Sequence, residues 1–256
     1  MVADDYANSL LCAKTLLMVH EKTPIYKGLE KTLDAIISPD LKDNSTSLFS
    51  RIEVVAGAEY PSIPETIWKT VAKAVCENKV LTFKYKSRRQ QNHEEELVRV
   101  VRPYEIIIDK NNAYIFVFDE KEKRDCKEKL FNISKIHSPV ITNRTFDLPE
   151  DHTFKKANGN GRFGAYKSPK GKRSFKIAFK GEALKEIEGK TFFDDQVVTR
   201  PNKDESIMNF TSYQYERILD WIVGFSYDAT PLEPEEFVRD WKDKWLETIT
   251  KMKKIT

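Results

Sequence analysis

Several patterns that mark common protein classes are missing from this sequence. No apolar run approaches the roughly 18 residues that a membrane-spanning helix needs. The N-terminus, MVADDYANSLLCAKTLL, carries acids where a signal peptide carries bases. The three cysteines, Cys12, Cys76 and Cys126, are odd in number and far apart, which excludes a disulfide framework. These absences predict a cytoplasmic protein that has no contact with a membrane.

The signatures of catalysis and metal binding are also missing. The four histidines, His20, His93, His137 and His152, are isolated, and there is no Cys-x-x-Cys pair. No G-x-S-x-G elbow occurs, and the Gly171-Lys172 pair lacks the remaining residues of a phosphate-binding loop. The sequence therefore predicts no catalytic residue, no metal ligand and no cofactor, and we interpret the chain as a protein that is not an enzyme.

Positive charge is concentrated in one stretch. The net charge is only +3, but residues 155–173 contain seven Lys or Arg and no acid. The surrounding HTFKKANGNGRFGAYKSPKGKRS holds four of the nine glycines and shows no periodicity, so residues 151–174 are predicted to be a basic, glycine-rich linker. Such a run is either a solvated segment or a contact for phosphates.

The first 60 residues show helical spacing. Thr23-Pro24 is typical of an N-cap followed by proline at the first helical position. Two apolar stripes flank this point: Tyr6, Leu10, Ala13 and Leu17, then Ile25, Leu29, Leu33 and Ile36. Two short amphipathic helices cannot bury such stripes alone. Residues 1–60 are therefore predicted to be a helical connector that packs on another part of the protein or on a second subunit.

The period changes to two after a helix that starts near Pro64. In VLTFKYKS the residues Leu81, Phe83, Tyr85 and Ser87 share one face. Further strands are predicted in LVRVVRP, on both sides of the turn DKNN, and in KLFNISKI as far as Ile136. One helix and five short strands in residues 61–150 predict a small, strongly bent β-barrel of the SH3 or Sm type.

The last part of the chain alternates between strands and helices. The segments FKIAF, EALKEIEG, QVVT, SIMNF and YERILDWIV, with a short strand around Ser226 to Ala229, give the order β-α-β-β-α-β. That order predicts a ferredoxin-like domain over residues 175–256 and an α+β class for the whole chain. A closing helix carries Phe237, Trp241, Trp245 and Met252 on one stripe, which indicates core or subunit interface.

The order of four segments resembles the WYL-domain family of bacterial transcription regulators. LTFKYKS is similar to the family's aliphatic-x-Tyr-x-Ser strand, VRPYEII to its Pro-centred strand, and NNAYIFVFD stands at the position of the Trp-Tyr-Leu motif. KLFNISKI is similar to the family's Arg-x-Phe-Arg-Leu-Asp-Arg-Ile. The tail from Phe175 resembles the C-terminal extension called WCX. The resemblance implies an Sm-like ligand-sensing barrel that is followed by a ferredoxin-like WCX domain.

The sequence departs from the family pattern inside these motifs. Ala113 and Ile115 flank Tyr114, which alone remains of Trp-Tyr-Leu. Lys129, Asn132 and Lys135 stand where arginines are usual. A lysine offers a point charge instead of a bidentate fork, and asparagine offers no charge, so the resemblance implies an altered grip on any phosphate. Strand parity puts Lys129 and Asn132 on opposite faces, and Tyr114 is either core or contact.

A ligand site follows from the resemblance and from the arginines near the strand ends. Its predicted residues are Ser87, Arg88, Arg102, Tyr114, Lys129 and Asn132. The predicted ligand is a nucleotide or a short single-stranded nucleic acid, because arginines suit phosphates and unpaired bases. Family members usually begin with a winged helix-turn-helix, and this chain begins at the connector. We therefore expect a sensor and dimerisation part, a homodimer, that acts on DNA through a missing N-terminal domain.

Two other functions are compatible with the residues. In the first, the chain is a stand-alone nucleic-acid-binding accessory protein whose basic run, with Phe163 and Tyr166 between the charges, holds a strand. In the second, the chain is an oligomerisation scaffold with a vestigial pocket. Binding that depends on salt and on the basic run favours the first, and a dimer that no nucleotide stabilises favours the second.

Overall fold

A computed structural model describes residues 4–21, 23–37, 61–86, 97–109, 112–123, 127–150, 152–159, 163–164, 166 and 168–253. The chain divides into two compact units, Met1–His152 and Thr153–Thr256. The described residues form seven α-helices and nine strands in two antiparallel sheets, so the predicted α+β class is confirmed. The division into segments 1–60, 61–150, 151–174 and 175–256 stays a prediction.

Two helices open the first unit, α1 (Asp4–Leu16) and α2 (Pro24–Ile36). Thr23 caps α2, and its Oγ1 accepts a hydrogen bond from the Tyr26 amide at 3.4 Å. The two helices pack on each other through Ala7, Leu11, Leu33 and Ile37. The predicted stripe on α1 was wrong by one position, because the small Ala7 faces α2 and Tyr6 is 70% exposed.

A helix and five strands follow. Their bounds are α3 (Glu65–Cys76), β1 (Lys79–Tyr85), β2 (Leu97–Asp109), β3 (Asn112–Asp119), β4 (Glu128–Asn132) and β5 (Ile136–Thr145). The strands pair in the order β4-β3-β2-β1-β5. Among the described strands β4 and β5 do not pair, so no closed barrel forms. The sheet is bent all the same, because the rings of Tyr85 on β1 and Phe131 on β4 meet at 4.7 Å.

Two strand predictions were wrong in detail. LVRVVRP and the segment after it form the single 13-residue strand β2. Pro103 fits inside it because the ladder to β3 is irregular between Pro103 and Glu105, where a missing amide is tolerated. KLFNISKI ends as a strand at Asn132, and β5 was not predicted. Few positions of β5 are buried, so it lacks the strong alternation that marks a strand.

The two faces of this sheet differ in burial. The inner face carries the core of the unit, which α3 covers with Val71 and Ala74. Along β3 this face is formed by Ala113, Ile115 and Val117. The outer face carries the alternate positions of β3. This distinction between inner and outer face fixes where each candidate site residue points.

The second unit has the predicted order of elements. After a short helix α4 (Phe154–Asn158) come β6 (Arg173–Lys180), α5 (Gly181–Ile187), β7 (Val197–Asn202), β8 (Glu205–Ser212), α6 (Tyr215–Val223), β9 (Ala229–Glu233) and α7 (Glu235–Met252). The strands pair in the order β7-β8-β6-β9. The last strand begins at Ala229, because Ser226–Asp228 form a 3-10 turn.

Helix α7 divides its predicted aromatic stripe between core and surface. Phe237 is buried and Trp241 packs against the same core, whereas Met252 is 65% exposed. The stripe is therefore core only in its first half. No helix within the described ranges has both the length and the apolar composition to cross a membrane.

Candidate ligand site

The residues predicted for the ligand site lie on both faces of the first sheet. Ser87 and Arg88 fall outside the described residues. Tyr114 pairs with Asn132 and Arg102 with Phe118 on the outer face, whereas Lys129 pairs with Val117 on the inner face. The opposite placement of Lys129 and Asn132 follows the parity of β4. Register therefore brings Tyr114 and Asn132 together and separates both from Lys129.

Tyr114 is half-buried and lies outside the inner-face core. Its neighbour on the same face, Phe116, is fully buried and packs edge-on against Tyr104 at 6.0 Å. Tyr114 thus lies at the end of an outer-face aromatic row and keeps part of its surface in solvent.

Asn132 holds the end of β4 in place. Its Oδ1 accepts hydrogen bonds from the Ser134 amide at 2.9 Å and from Ser134 Oγ at 2.7 Å. Its Nδ2 donates to Oδ1 of the buried Asn112 at 2.9 Å. These bonds cap the 3-10 turn Ile133–Lys135 and explain why the predicted strand stops here. The side chain also lines a recess of about 10 Å³, which has room for about one water molecule.

Arg102 belongs to a cluster around Glu120. Arg102 Nε donates to Glu120 Oε1 at 2.9 Å, and Arg144 donates to both carboxylate oxygens at 3.0 Å. The Arg102 guanidinium lies 5.4 Å from the ring centroid of Phe118, and Lys127 Nζ lies 5.6 Å from the same centroid. Burial acts to raise the pKa of Glu120, but the hydrogen bonds from the two arginines outweigh it and the pKa lies below its usual value.

On the inner face, Lys129 lies close to a carboxylate. Its Nζ is 2.9 Å from Glu122 Oε2, and its side chain is 29% exposed. An anion that binds Lys129 therefore competes with Glu122, which lowers the gain from the contact.

Sequence reasoning missed Arg99, which points to the inner face of the sheet, as Lys129 does. Arg99 pairs in register with Phe83, and its guanidinium lies 5.7 Å from the ring centroid of Phe131. Its Nη1 donates to Oδ2 of the fully buried Asp119 at 3.0 Å. The Arg99 Nε is buried and has no acceptor within the described part of the chain.

Tyr85 completes the inner-face group. Its ring packs edge-on against Phe131 and Phe83, at 4.7 and 6.2 Å between centroids, and its hydroxyl accepts a hydrogen bond from the Asn132 amide at 3.3 Å. We call Tyr85, Arg99, Lys129 and Phe131 the inner-face cluster. It combines aromatic rings, two cations and a buried donor that no described residue accepts from.

One sequence signal could have found Arg99. In LVRVVRP the alternation places Arg99 and Val101 on one face, and Val101 is fully buried. An arginine at an inward position of a strand needs a partner, because an unpaired buried charge is costly. The partner, Asp119, lies 20 residues away in the chain, so the pair could not be recognised without the register.

The basic run is partly consumed by structure. Lys170 Nζ lies 2.6 Å from Glu236 Oε1 and 2.7 Å from Asp240 Oδ2. Phe163 packs against the core of the second unit, 5.1 Å from Trp221. Arg217 lies 5.3 Å from the ring centroid of Tyr166. The aromatic rings of the run therefore have intramolecular contacts where the accessory-protein hypothesis requires bound bases.

Two solved structures are similar to this chain. One is proteasome accessory factor B/C of Arthrobacter aurescens, with 13% identity over 91% of this chain and 32% of that chain and a TM-score of 0.36. The other is a CRISPR Cas-related protein, with 12% identity over 74% of this chain and 52% of that chain and a TM-score of 0.47. This chain thus spans about a third and about half of their lengths. A search of curated proteins gave no match.

A protein-family comparison agrees with the motifs. The family model described as WYL domain matches residues 66–141. This range begins in α3 and ends in β5, and it contains the inner-face cluster, Tyr114 and Asn132. The resemblance stated from the sequence is confirmed, and this chain is a WYL-domain protein.

Proposed function

We propose that this chain is the sensor and dimerisation part of a bacterial transcription regulator and that its WYL domain binds a nucleotide or a short single-stranded nucleic acid. The observation that carries the proposal is the buried Arg99 Nε, which lies beside the Phe131 ring and lacks an acceptor in the described residues. A phosphate oxygen or the edge of a base would supply that acceptor.

The inner-face cluster offers the contacts that such a ligand uses. Tyr85 and Phe131 present aromatic surface for a base, and Arg99 and Lys129 present positive charge for phosphate. Asp119 and Glu122 offset these charges, so we expect moderate affinity that falls as salt rises.

The residues predicted from the sequence would extend this contact. Strand β4 is an edge of the described sheet, so a nucleic-acid strand that crosses this edge can reach both faces. On the outer face Tyr114 would stack or donate a hydrogen bond and Arg102 would neutralise phosphate, while Ser87 and Arg88 would add contacts after β1. Asn132 would keep the edge in register through its bonds to Asn112 and Ser134.

The remaining parts of the proposal concern fold labels and assembly. The order β5-β1-β2-β3-β4 and the bend of the sheet support an Sm-like barrel, and β9-β6-β8-β7 supports a ferredoxin-like WCX domain. Exposed apolar side chains on the first two helices, among them Leu16 and Ile25, support a homodimer. Ligand occupancy would bias the arrangement of two subunits and thereby a DNA-binding domain. The cytoplasmic location stays a prediction.

Fluorescence anisotropy with labelled single-stranded oligonucleotides tests the proposed site. We expect Lys129→Ala to weaken binding and to reduce the slope of log K against log salt by about 0.7, the value for one lost phosphate contact on a single strand. Lys84→Ala is the matched control, because it removes the same charge from an exposed residue on the other face of β1. Equal binding by both variants and wild type would remove the proposed site.

A thermal-shift measurement separates the sensor from a scaffold. A reproducible rise in Tm with one nucleotide or oligonucleotide supports the sensor, because a ligand that binds only the folded state stabilises it. The absence of any shift across a nucleotide panel would favour a scaffold with a vestigial pocket.

A further inference from the structure

The second unit contains a cavity that the proposed function does not use. Its volume is about 190 Å³, which is smaller than the roughly 300–1,000 Å³ of sites for drug-sized ligands. The residues that line it come from the end of α4, from the segment before β7 and from the end of β8. They include Asn158, Lys172, Phe193, Asp195 and Tyr213.

Asn158 is the most unusual residue of this cavity. Its side chain is only 2% exposed, and its Nδ2 donates to the Phe154 carbonyl at 3.3 Å. Its Oδ1 is buried and has no donor among the residues that the structure describes. A buried carbonyl oxygen without a donor costs free energy. A ligand that enters the cavity with an N–H group would offset this cost.

Asp195 gives the cavity a fixed negative charge. Its carboxylate accepts hydrogen bonds from Thr211 Oγ1 at 2.5 Å and from the Thr211 amide at 3.1 Å. Burial acts to raise the pKa of Asp195, but these bonds and the charge of Lys172 outweigh it, and the pKa lies below its usual value. Asp194 also lines the cavity. Two carboxylates and one lysine leave an excess of negative charge, which disfavours phosphate and favours a cation.

Aromatic rings supply the remaining wall. Phe193 is 5% exposed and stacks on Phe210 at 3.6 Å between centroids, so its position is fixed by the core. Gly159 has a φ of +68°, and a Cβ there would lie 3.6 Å from the Tyr213 ring. Ring faces beside carboxylates are suited to planar or alkylated cations.

We propose that this cavity binds a small organic cation that carries a guanidinium or amine group. The cation would donate to Asn158 Oδ1, face Asp195, and lie against Tyr213. This site is separate from the inner-face cluster of the WYL domain, and its ligand has the opposite charge.

Isothermal titration calorimetry of the full chain with agmatine, putrescine and methylguanidinium tests the proposal. We expect saturable binding of at least one of these cations and none of inorganic phosphate. The absence of saturable binding by all three would overturn the proposal, as would preferential binding of phosphate.

The sign of one charge change gives the sharpest result. Lys172 is exposed, so Lys172→Ala should fold normally, and it should tighten the binding of a cation by about two- to fivefold because it removes a like charge. Weaker cation binding in this variant would contradict the assignment. The same variant should bind oligonucleotides at the WYL domain as wild type does, so failure here and failure of the proposed function are distinguishable.

Two further variants identify the acceptors. Asp195→Asn and Asn158→Leu should each weaken binding by about tenfold or more, since each removes an acceptor for the ligand. Asp204→Asn is the matched control, because it makes the same charge change at the β7–β8 turn, away from the cavity lining. Circular dichroism establishes that each variant is folded. If folded Asp195→Asn and Asn158→Leu bind as tightly as Asp204→Asn, the proposal is wrong.

Discussion

Lys129 and Glu122 are neighbours at the inner face of the WYL domain, with 2.9 Å between Nζ and Oε2. The lysine that stands at the position of the family's first motif arginine is thus already close to a carboxylate. Any anionic ligand that uses Lys129 must displace or share this contact. The pair therefore sets the affinity of the proposed site.

Removing the carboxylate should strengthen the proposed site. We expect Glu122→Gln to increase oligonucleotide affinity by about two- to fivefold at low salt, because a negative charge disappears and Lys129 is released. Anisotropy titrations measure the change. Glu128→Gln is the control, since it makes the same change on the other face of β4. An equal effect of both substitutions would mean that only the net charge matters.

The Glu120 cluster predicts a dependence of stability on pH. Because the pKa of Glu120 is lowered in the folded state, its contribution is complete above the ordinary value of 4.5 and is lost as pH falls through the folded value. Wild type should therefore lose more free energy of unfolding than Glu120→Gln between neutral pH and acid. Urea denaturation across this range measures the difference. Parallel pH profiles for the two proteins would contradict the prediction.

Lys170 should be important for the stability of the second unit. Its ammonium group contacts Glu236 and Asp240 and lies 3.9 Å from the ring centroid of Tyr215. We expect Lys170→Met to lower the free energy of unfolding by about 1–2 kcal/mol, a value reduced because the pairs are partly exposed. Lys176→Met, which breaks a longer pair with Glu233 at 3.4 Å, should cost about 0.5 kcal/mol or less. Guanidinium denaturation of both variants decides whether the first effect is larger.

Two glycines with positive φ should differ in their tolerance of alanine. Gly189 has a φ of +68°, and a Cβ added there would meet nothing within 4 Å, so Gly189→Ala should cost about 1–2 kcal/mol from backbone strain alone. Gly181 has a φ of +50°, and its Cβ would lie 2.7 Å from Asp228 Oδ2. That carboxylate accepts the Glu182 amide at 3.1 Å. Gly181→Ala should therefore cost at least about 1 kcal/mol more than Gly189→Ala in thermal or chemical denaturation.

Local signals in the sequence were sufficient for much of the fold. The alternation of Leu81, Phe83 and Tyr85 predicted β1 and its inward face, and Thr23-Pro24 predicted the start of α2. Both signals depend on residues that are close in the chain. The weakly amphipathic β5 was missed because its partner, β1, supplies the pairing from about 60 residues away.

The candidate site was less predictable than the fold. Parity correctly separated Lys129 from Asn132, since it depends only on strand geometry. Arg99 was missed because its significance depends on Asp119 and Phe131, which only the register of the strands brings near it. The cavity around Asn158 was hidden in the same way, inside a stretch whose composition is typical of a linker. Contacts between distant segments thus decide the sites, while local patterns decide the elements.

Strand β2 connects the inner-face cluster to the rest of the WYL domain. Its first five paired residues, Leu97 to Val101, form a ladder with β1, and from Val101 onward it forms a ladder with β3. Arg99 is therefore mounted on the one strand that belongs to both halves of the described sheet. A ligand that pulls on this guanidinium acts on a shared backbone, so the force of binding spreads as a change of sheet curvature and can reach surfaces that the ligand never touches.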